Sequence, residues 1–463
     1  MKAQPRTLKA YEFLQAGVQT LSKVEANGIR IDVPYLKRVI KKTTRRIDLL
    51  KENLESDPVM KTWRKMYANK TNIFSPHQLA LVLFDKMGFE SPEKTAKGKA
   101  KTDEATLEQL DIPFVKRYLK LSKLQRAVNT YLRGILRDTV DGFLHPVFSL
   151  HLVETYRSSS ESPNFQNIPV RIPWMKELVR PAFIPRPGHI FTEADYKGLE
   201  VRISCCYHKD PKLIEYVCNP KLDMHREMAA QCFACDEDQI TPALRYGGKN
   251  GFVFPQFYGA YYLSCAQAIW QDYVERGAKL NDGTSLRKHL KSKDIFRLGH
   301  CDPDRRPRPN TFEKHIQQVE DHFWNERFPV YKQWKEDWWA TYQRRGGFRM
   351  LSDFVVNGVH RRNEVINYPV QDSAFHCLLW SLIKLQEWIE RTGSKVKLIG
   401  QIHDSIVADV PEEEFEKFTR VMRRIMTVEI RKAWPWIIIP LDIEVEIAHE
   451  GESWADKKEY EIR

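Results

Sequence analysis

Residues 397–408 are Lys397-Leu398-Ile399-Gly400-Gln401-Ile402-His403-Asp404-Ser405-Ile406-Val407-Ala408. Two apolar runs flank the polar pair His403-Asp404, a pattern typical of two strands joined by a tight turn. A second strand-like run, residues 189–194, leads into another aspartate, Asp195. Carboxylates that strands bring together can hold divalent metal ions. The sequence therefore predicts a metal site to which both aspartates contribute.

Basic and aromatic residues are interleaved between the two aspartates, in residues 245–259. Arg245 and Lys249 are four residues apart, hence on one face of a helix, where they could clamp a triphosphate. Phe254 and Tyr258 have the same spacing and could stack on a base. Taken alone, the basic pair would more often be part of a solvated face, and the aromatic pair would more often be part of a core. Combined with two metal-binding aspartates, they predict nucleotidyl transfer assisted by two magnesium ions.

The composition is that of a folded, basic protein. A chain of 463 residues is long enough for two to four lobes. Hydrophobic residues at 42% and aromatic residues at 11% exclude general disorder. The net charge of +12 is spread along the chain, including residues 37–46 and 94–101. Such a distribution favours a long polyanion as partner, although charge alone fits a basic protein without one equally well.

The sequence contains no apolar run of the roughly 18 residues that a membrane span requires and no apolar core of a signal peptide near Met1. We therefore expect a cytoplasmic protein without membrane association, with its eight cysteines reduced. Cys232 and Cys235 have the spacing of zinc ligands, but no second pair follows them, so the zinc interpretation is weak.

The predicted elements alternate between helical and β-rich regions. Helical periodicity over residues 34–75, with a helix start at Ser75-Pro76, and a flexible basic stretch over 94–103 predict an elongated helical lobe with a mobile cationic tip. Strand-like runs follow from about 145, and helical patterns from 198 to 345 surround a polar segment, 276–309, which we expect to be a solvated insertion. Strands return after 348, with a helix over 369–391. The β core is thus predicted in two pieces, with a helical lobe between them.

Four segments together resemble the family A DNA polymerases. Residues 195–202 resemble motif A, residues 249–258 motif B and residues 401–404 motif C, while 155–160 and 163–169 resemble the segment that follows the minor groove of the primer–template. The motifs occur in the order of the family, from about residue 26 to 454. The chain is similar to the polymerase portion of bacterial DNA polymerase I and most like its bacteriophage versions.

The resemblance implies an α+β fold of the right-hand type, with an antiparallel β-sheet palm and mostly helical fingers and thumb. The implied ranges are an N-terminal lead-in over 1–33, thumb over 34–145, first palm segment over 146–204, fingers over 205–347 and second palm segment over 348–463.

The resemblance also implies roles for individual residues. Catalysis would depend on Asp195, Asp404 and Lys249, with two Mg²⁺ ions, replaceable by Mn²⁺, bound by Asp195, the Tyr196 carbonyl and Asp404. Glu200 would be the steric gate against a ribose 2′-hydroxyl. The implied dNTP contacts are Arg245, Lys249, Phe254, Tyr258, His225 and Glu200, and the implied DNA contacts are Arg157, Asn164, Gln166, Asn167, Asn367, Gln371 and His403.

The implied activity is template-directed extension of a primer 3′ end with dNTPs, releasing pyrophosphate. Residues 1–33 are too few for a 3′–5′ exonuclease domain, so we expect no proofreading in this chain and a separate exonuclease or processivity factor as a candidate partner. We expect a monomer that acts in the cytoplasm, that of the host cell if the chain is phage-encoded.

Three positions depart from the family pattern. Ser405 replaces the glutamate that usually follows the motif C aspartate, and Gly198 replaces a polar residue of motif A. Motif B is one residue longer than usual and contains Pro255, which would clash with the Gly251 carbonyl in a regular α-helix. We expect the extra residue and the proline to form a π-type bulge.

Two rival functions remain at this point. A single-subunit RNA polymerase resembles the same arrangement, but Glu200 and Phe254 argue against it. An inactive primer–template binding module would explain the departures at Ser405 and Gly198. A metal-dependent nuclease is disfavoured because it would not need the cationic helix.

Overall fold

The computed structural model of the protein describes residues 6–95, 98–170 and 172–462. The α-helices are α1 Leu8–Asn27, α2 Val33–Glu55, α3 Pro58–Tyr67, α4 Pro76–Ala80, α5 Glu104–Glu108, α6 Pro113–Arg126, α7 Arg133–Asp138, α8 Pro173–Val179, α9 Leu199–His208, α10 Pro211–Cys218, α11 Met224–Phe233, α12 Pro242–Gly247, α13 Phe254–Phe257, α14 Tyr262–Ile269, α15 Leu286–Ser292, α16 Phe312–His322, α17 Pro329–Arg345, α18 Arg362–Thr392, α19 Phe415–Arg424 and α20 Ile430–Ala433. Turns of π-helix occupy Leu81–Lys86, Ala127–Leu132, Gly248–Val253, Trp270–Glu275, Phe323–Arg327 and Ile425–Glu429. Turns of 3₁₀-helix occupy Ala68–Lys70, Phe165–Asn167, Arg180–Ala182, Glu237–Gln239 and Glu412–Glu414.

The strands are β1 Ile29–Arg30, β2 Thr139–Val140, β3 Phe143–Leu144, β4 Val147–Ser149, β5 Ser159–Glu161, β6 His189–Tyr196, β7 Gly347–Arg349, β8 Val355–Asn357, β9 Lys397–Ile402, β10 Ser405–Pro411, β11 Ile443–Ala448 and β12 Lys458–Tyr460. Five of them form the main sheet, in the order β12-β11-β6-β10-β9, and every neighbouring pair is antiparallel. The central strand, β6, comes from the first β-rich segment, whereas both of its neighbours come from the second. The prediction of a β core built from two separated pieces is confirmed.

The two faces of the main sheet have different roles because side chains alternate along a strand. Tyr196 points to one face, where its hydroxyl hydrogen-bonds Ser381 Oγ in α18 and the Met426 carbonyl, both at 2.8 Å. Helix α18 and the helices after it therefore cover this face. Asp195, the neighbouring residue, lies on the opposite face, at the end of β6 where the side chain is exposed. A site can therefore form at the exposed, Asp195 end of this opposite face.

The helical region from α2 to α7 follows the predicted pattern. Its two long helices, α2 and α6, pack against each other, and Ser75 caps α4 by accepting a hydrogen bond from the Gln78 N–H at 3.3 Å. The predicted cationic tip contains a bridge between Lys94 and Ala100; Ala96 and Lys97 lie outside the described residues. The three-stranded sheet β1-β3-β2 connects this region with the rest of the chain.

Helices make up most of residues 199–345, as predicted, and the expected solvated insertion over 276–309 is mostly exposed but has a few buried side chains. Leu286 and Leu290, four residues apart on α15, are fully buried, and Leu280 is 4% exposed. The apolar face of this helix anchors the segment to the protein. The rest of the segment is largely exposed as expected, including residues 281–283, 291–294 and 303–306.

The helix expected over residues 369–391 begins seven residues earlier, since α18 starts at Arg362. Pro369 lacks an N–H and leaves the carbonyl of Val365 without its helical donor. Trp338 Nε1 donates to that carbonyl at 3.1 Å, so the helix continues through the proline.

The lead-in expected over 1–33 forms α1, which packs on β9 and α18; residues 1–5 lie outside the described part. Within that part, no helix is long and apolar enough to cross a membrane.

Candidate active site

The two aspartates meet through a backbone hydrogen bond between the strands that carry them. His403 and Asp404 form the turn between β9 and β10, with His403 in the left-handed region at φ 49°. The Tyr196 N–H donates to the carbonyl of Asp404 at 3.2 Å, and Ser405 lies directly opposite Asp195 in the pairing of β10 with β6. The predicted pair is thus brought to one end of the sheet.

The two carboxylates are strained electrostatically when no cation is near. Burial, followed by the charges of Asp404 and Glu193, raises the pKa of Asp195 to about 7. Burial, followed by the charge of Glu200, raises the pKa of Asp404 to about 6. Asp195 is open to solvent on one side, so a cleft with protein on its other sides accounts for both its exposure and its reduced hydration. A divalent cation between the carboxylates would relieve this repulsion.

The helix after Asp195 begins at a glycine for a conformational reason. Gly198 is left-handed at φ 59° and precedes α9, and no atom lies within 4 Å of the position that a Cβ would occupy. The residue is therefore favoured by its backbone angle rather than by crowding. This turn sets the direction of α9 and places Glu200 in its first turn. The departure from motif A noted at Gly198 has a structural explanation here.

Glu200 connects three parts of the candidate site. Its carboxylate accepts a hydrogen bond from the Tyr258 hydroxyl and lies 3.6 Å from Arg157 Nη1. Arg157 in turn lowers the pKa of Asp404, while Glu200 raises it. The end of motif B, the motif A helix and the segment before Asn164 therefore converge close to the two aspartates.

The π-type bulge predicted for motif B is confirmed. Gly248–Val253 is a π-helix in which the Phe254 N–H donates to the carbonyl of Lys249, five residues earlier. The α-helix α13 then continues through Pro255 to Phe257. The wider turn accommodates the extra residue, and Lys249 Nζ still lies 5.1 Å from the centre of the Phe254 ring.

Phe254 and Phe257 occupy different environments. Phe257 is 6% exposed and packs against Phe323, Phe328 and Tyr331 in the core. Phe254 is half-buried beside Lys249 and the His225 ring, whose centre is 5.6 Å away. The sequence-based choice of Phe254 over Phe257 agrees with this placement.

A cluster of basic groups lies beside Phe254. Burial and the charge of Arg245 lower the pKa of Lys249. Burial, and then the charges of Lys249 and Arg245, lower the pKa of His225 to about 4. His225 Nδ1 is buried and has no hydrogen-bond partner among the described residues. Arg245 Nε donates to Asp223 at 2.6 Å. Mutual repulsion within such a cluster favours an anionic ligand.

The segment expected to contact DNA is held by a network of amide and hydroxyl groups. Gln166 Nε2 donates to Ser158 Oγ and to Gln401 Oε1, both at 2.8 Å, and Gln401 Nε2 donates to the His403 carbonyl at 2.7 Å. Asn164 and Asn167 are exposed, and Asn164 Oδ1 accepts from the Asn167 N–H at 3.1 Å. Ser158 and Gln401 were not predicted as site residues, although both belong to quoted motifs.

Helix α18 holds the end of motif B. Asn367 Nδ2 donates to the Tyr258 carbonyl at 3.0 Å, and Asn363 Nδ2 donates to the Gly259 carbonyl at 3.3 Å. Gly259 has φ +86°, and a Cβ there would lie 2.6 Å from Asn363 Oδ1. Gln371 lies one turn further along α18. Asn363 was missed by the sequence-based prediction, because nothing in its local pattern indicates a contact with residue 259.

The residues around the aspartates suit magnesium with substrate phosphates rather than a protein-only metal cage. Among residues 6–95, 98–170 and 172–462, no group of three or more His, Cys, Asp or Glu is arranged to hold a metal ion. Magnesium is commonly held by one or two carboxylates together with water and phosphate oxygens. The pair formed by Asp195 and Asp404 fits that donor set.

The family model described as "DNA polymerase family A" matches residues 41–276 and 340–456, most of the chain. The chain belongs to DNA polymerase family A. Both aspartates and the whole of motif B lie inside the matched ranges.

Similar proteins agree with this membership. "DNA polymerase I, thermostable" of Thermus thermophilus is 26% identical over 99% of this chain and 50% of its own length. "DNA polymerase I" of Geobacillus stearothermophilus is 25% identical over 98% of this chain and 46% of its own length. This family A chain therefore spans about half the length of the curated relatives it matches. The relatives found are bacterial, and they do not support the expected likeness to bacteriophage enzymes.

A solved structure has the same fold. It is described as the "POL domain of Pol1 from M. smegmatis complex with DNA primer-template and dNTP", and it superimposes with a TM-score of 0.74 over 96% of this chain and 70% of its own. At 23% sequence identity, this likeness concerns the fold alone.

Proposed function

We propose that the protein is a template-directed DNA polymerase that extends a primer 3′ end with dNTPs and releases pyrophosphate. One observation carries the proposal: the Tyr196–Asp404 backbone bond places two aspartates together at the point where the end of motif B arrives through Tyr258 and Glu200. A cation site and an anion site then lie on neighbouring elements, as nucleotidyl transfer requires.

Asp195, Asp404 and the backbone carbonyl of Tyr196 would hold two Mg²⁺ ions, for which Mn²⁺ could substitute. When bound, these ions would lower the pKa of the primer hydroxyl and neutralise charge on the pyrophosphate. The protein's own contribution is to fix the two carboxylates before substrate arrives, through the antiparallel pairing of β6 with β10.

Lys249, His225 and Arg245 would bind the triphosphate, with Lys249 also acting in catalysis. Arg245 is paired with Asp223 in the structure, so a triphosphate must compete with that carboxylate. Phe254 would stack on the incoming nucleotide beside the same cluster.

Glu200 would exclude a ribose 2′-hydroxyl, since its carboxylate is fixed by Tyr258 and stands beside Arg157. Arg157, Gln166 and His403 would follow the minor groove at the primer terminus, together with Asn164 and Asn167. Asn367 and Gln371 would contact the template side from α18.

The proposed domain division assigns the thumb to residues 34–145, the fingers to 205–347 and the palm to 146–204 with 348–463. The antiparallel main sheet supports the palm assignment, and the helical content of the other two ranges supports theirs. We place the protein in the cytoplasm with its DNA template, as a monomer.

The test is extension of a labelled DNA primer on a DNA template, with dNTPs and with rNTPs in parallel. We expect extension with dNTPs, little with rNTPs, and no product without a primer. Glu200→Ala should increase rNTP incorporation relative to dNTP. RNA synthesis from a template without a primer would instead indicate a single-subunit RNA polymerase.

A further inference from the structure

Ser405 takes the place of the glutamate that usually follows the motif C aspartate, and a carboxylate from another strand lies against it. Ser405 Oγ donates to Glu193 Oε1 at 3.2 Å and to the Ile402 carbonyl at 2.9 Å. Glu193 precedes Asp195 by two residues in β6, so both side chains lie on the same face of the sheet. The proposed metal site therefore has a third carboxylate close by.

The Glu193 carboxylate is held firmly by three donors. Besides Ser405, Trp454 Nε1 and Lys457 Nζ donate to Glu193 Oε2, both at 2.7 Å. Trp454 is fully buried, and the side chains of Glu193 and Lys457 are only 11% and 10% exposed. Lys457 also pairs with Glu446, which lies opposite Glu193 on β11. Lys457 and the Arg180 guanidinium act on both Glu193 and Glu446, so two cations hold Glu193 in its ionised form beside Asp195.

A carboxylate beside Asp195 could come from either of two paired strands: from position 193 in β6 or from position 405 in β10. Ser405 lies directly opposite Asp195, so Glu193 is its diagonal neighbour across the β6–β10 pair. Diagonal neighbours are about 7–8 Å apart at Cα, within reach of long side chains. The hydrogen bond from Ser405 shows that the Glu193 carboxylate already occupies the space beside Ser405. A glutamate at position 405 would bring a second negative charge into the same volume.

We propose that Glu193 is a positioning residue of the metal site, supplying from β6 the carboxylate that the family usually supplies from the position after the motif C aspartate. This inference rests on the proposed function. Glu193 acts through its neighbours: its charge strengthens the attraction of Asp195 for a cation, and its bond to Ser405 fixes the strand that begins next to Asp404. Groups around a metal ligand typically change affinity or activity by about 10- to 100-fold when removed.

The experiment compares Glu193→Ser, Ser405→Glu and the double variant, with Glu446→Gln as a matched control that removes the other partner of Lys457. Mn²⁺ binding is measured by electron paramagnetic resonance in the complex with a dideoxy-terminated primer–template and the next dNTP, where no turnover occurs. Extension by single turnover at varied Mg²⁺ is measured in parallel. Glu193→Gln, which keeps the shape of the side chain, is included because Glu193→Ser leaves Lys457 less well paired.

We expect Glu193→Ser and Glu193→Gln each to weaken Mn²⁺ binding by about tenfold or more. Ser405→Glu alone should bring no gain, because two carboxylates then repel each other. The double variant should recover most of the binding lost in Glu193→Ser, and Glu446→Gln should bind as the native chain does.

Unchanged Mn²⁺ binding in Glu193→Gln, or a folded double variant that binds no better than Glu193→Ser, would overturn the proposal and leave Glu193 as an ion-pair partner of Lys457. Failure of the proposed function has a different outcome, namely absence of primer extension by the native chain.

Discussion

Tyr196 links the candidate site to the core of the protein through two different groups. Its N–H holds the turn that carries Asp404, while its hydroxyl is bonded inside the core to Ser381 and the Met426 carbonyl. The position of Asp404 is therefore fixed by a residue anchored in the core.

At this scale the sequence was informative where a residue type has one chemical use and uninformative where a role depends on a distant partner. From their strands and their chemistry, Asp195 and Asp404 were predicted to lie together, and the structure brings them to one end of the sheet. Glu193 was not identified, because its partners Ser405, Trp454 and Lys457 lie more than 200 residues away and only the folded sheet brings them together.

Phe254→Tyr should raise the incorporation of dideoxynucleotides relative to dNTPs, because the added hydroxyl could replace the missing 3′-hydroxyl of the nucleotide. Phe254 is half-buried beside Lys249 and His225. Competition between a ddNTP and its dNTP in primer extension measures the effect, with Phe257→Tyr as the control at the core position. A larger effect at 257 than at 254 would contradict the placement of motif B.

The π-helix shows how an element can be predicted from a conflict in the sequence. Pro255 and the extra residue were incompatible with a regular α-helix, and the structure has a π-turn immediately before the proline. The start of α18 was not predictable in the same way, because the group that replaces the missing N–H of Pro369 is Trp338 in another helix. Local rules fail where a tertiary contact supplies the missing hydrogen bond.

Gly248→Ala should lower the free energy of unfolding by about 1–3 kcal/mol. A Cβ at Gly248 would lie 2.6 Å from the Cβ and 2.8 Å from the Cα of Ala229, so the π-helix would have to move away from α11. Urea denaturation measures the change. Gly134 is the matched control: it is also helical and has no atom within 4 Å of its Cβ position, so Gly134→Ala should stabilise by up to about 1 kcal/mol. Equal effects of the two substitutions would contradict the packing of the π-helix on α11.

A buried lysine that contacts the motif B helix makes the stability of the fold depend on pH. Lys335 is 8% exposed, and its Nζ donates to the carbonyl of Gln256 in α13 at 3.1 Å. Burial, followed by the charge of Arg362, lowers its pKa from 10.5 to about 7. The charged form of Lys335 is thus disfavoured in the folded state. It destabilises the fold most below pH 7, and this destabilisation disappears as the pH rises toward 10.5, the pKa of the lysine in the unfolded chain.

Lys335→Met removes this titration. As the pH rises from 7 toward 10, the free energy of unfolding of the native chain should increase relative to that of the variant, by up to about 3 kcal/mol. Glu320, which accepts from Gln256 and whose pKa burial raises to about 7, titrates below this window. Urea denaturation across the pH range measures the difference. Lys332→Met, at an exposed position of the same helix, is the control and should show no such trend. A pH-independent difference for Lys335→Met would show that Lys335 is charged in the folded state.

At the scale of the whole molecule, a local acidic site lies within a chain that is basic throughout. The acidic site lies at the end of the main sheet, while the net charge of +12 is spread widely. The discontinuous sheet was predictable because strand patterns bracket a long helical region. The packing of α1 on β9 and α18 was not, since an amphipathic helix does not specify which surface it will cover.

If the basic stretch over residues 94–103 binds duplex DNA, replacing Lys94 and Lys99 with Ser should reduce the slope of log affinity against log salt concentration by about 1–2. Fluorescence anisotropy of a labelled primer–template at several salt concentrations measures the slope. Lys417→Ser with Lys432→Ser is the control, since α19 packs on β10 and α20 packs on α18, away from residues 94–103 in the fold. Equal slopes in both double variants would assign the tip no role in binding.

The most direct measurement is extension of a labelled primer by the native chain, Asp195→Asn and Asp404→Asn, with primer–template binding determined for each. Asparagine keeps the size of the side chain and removes the charge. We predict extension by the native chain, a loss of at least about 100-fold in both variants and nearly unchanged DNA binding. Binding without extension in all three would contradict the account and indicate a primer–template binding module without catalysis.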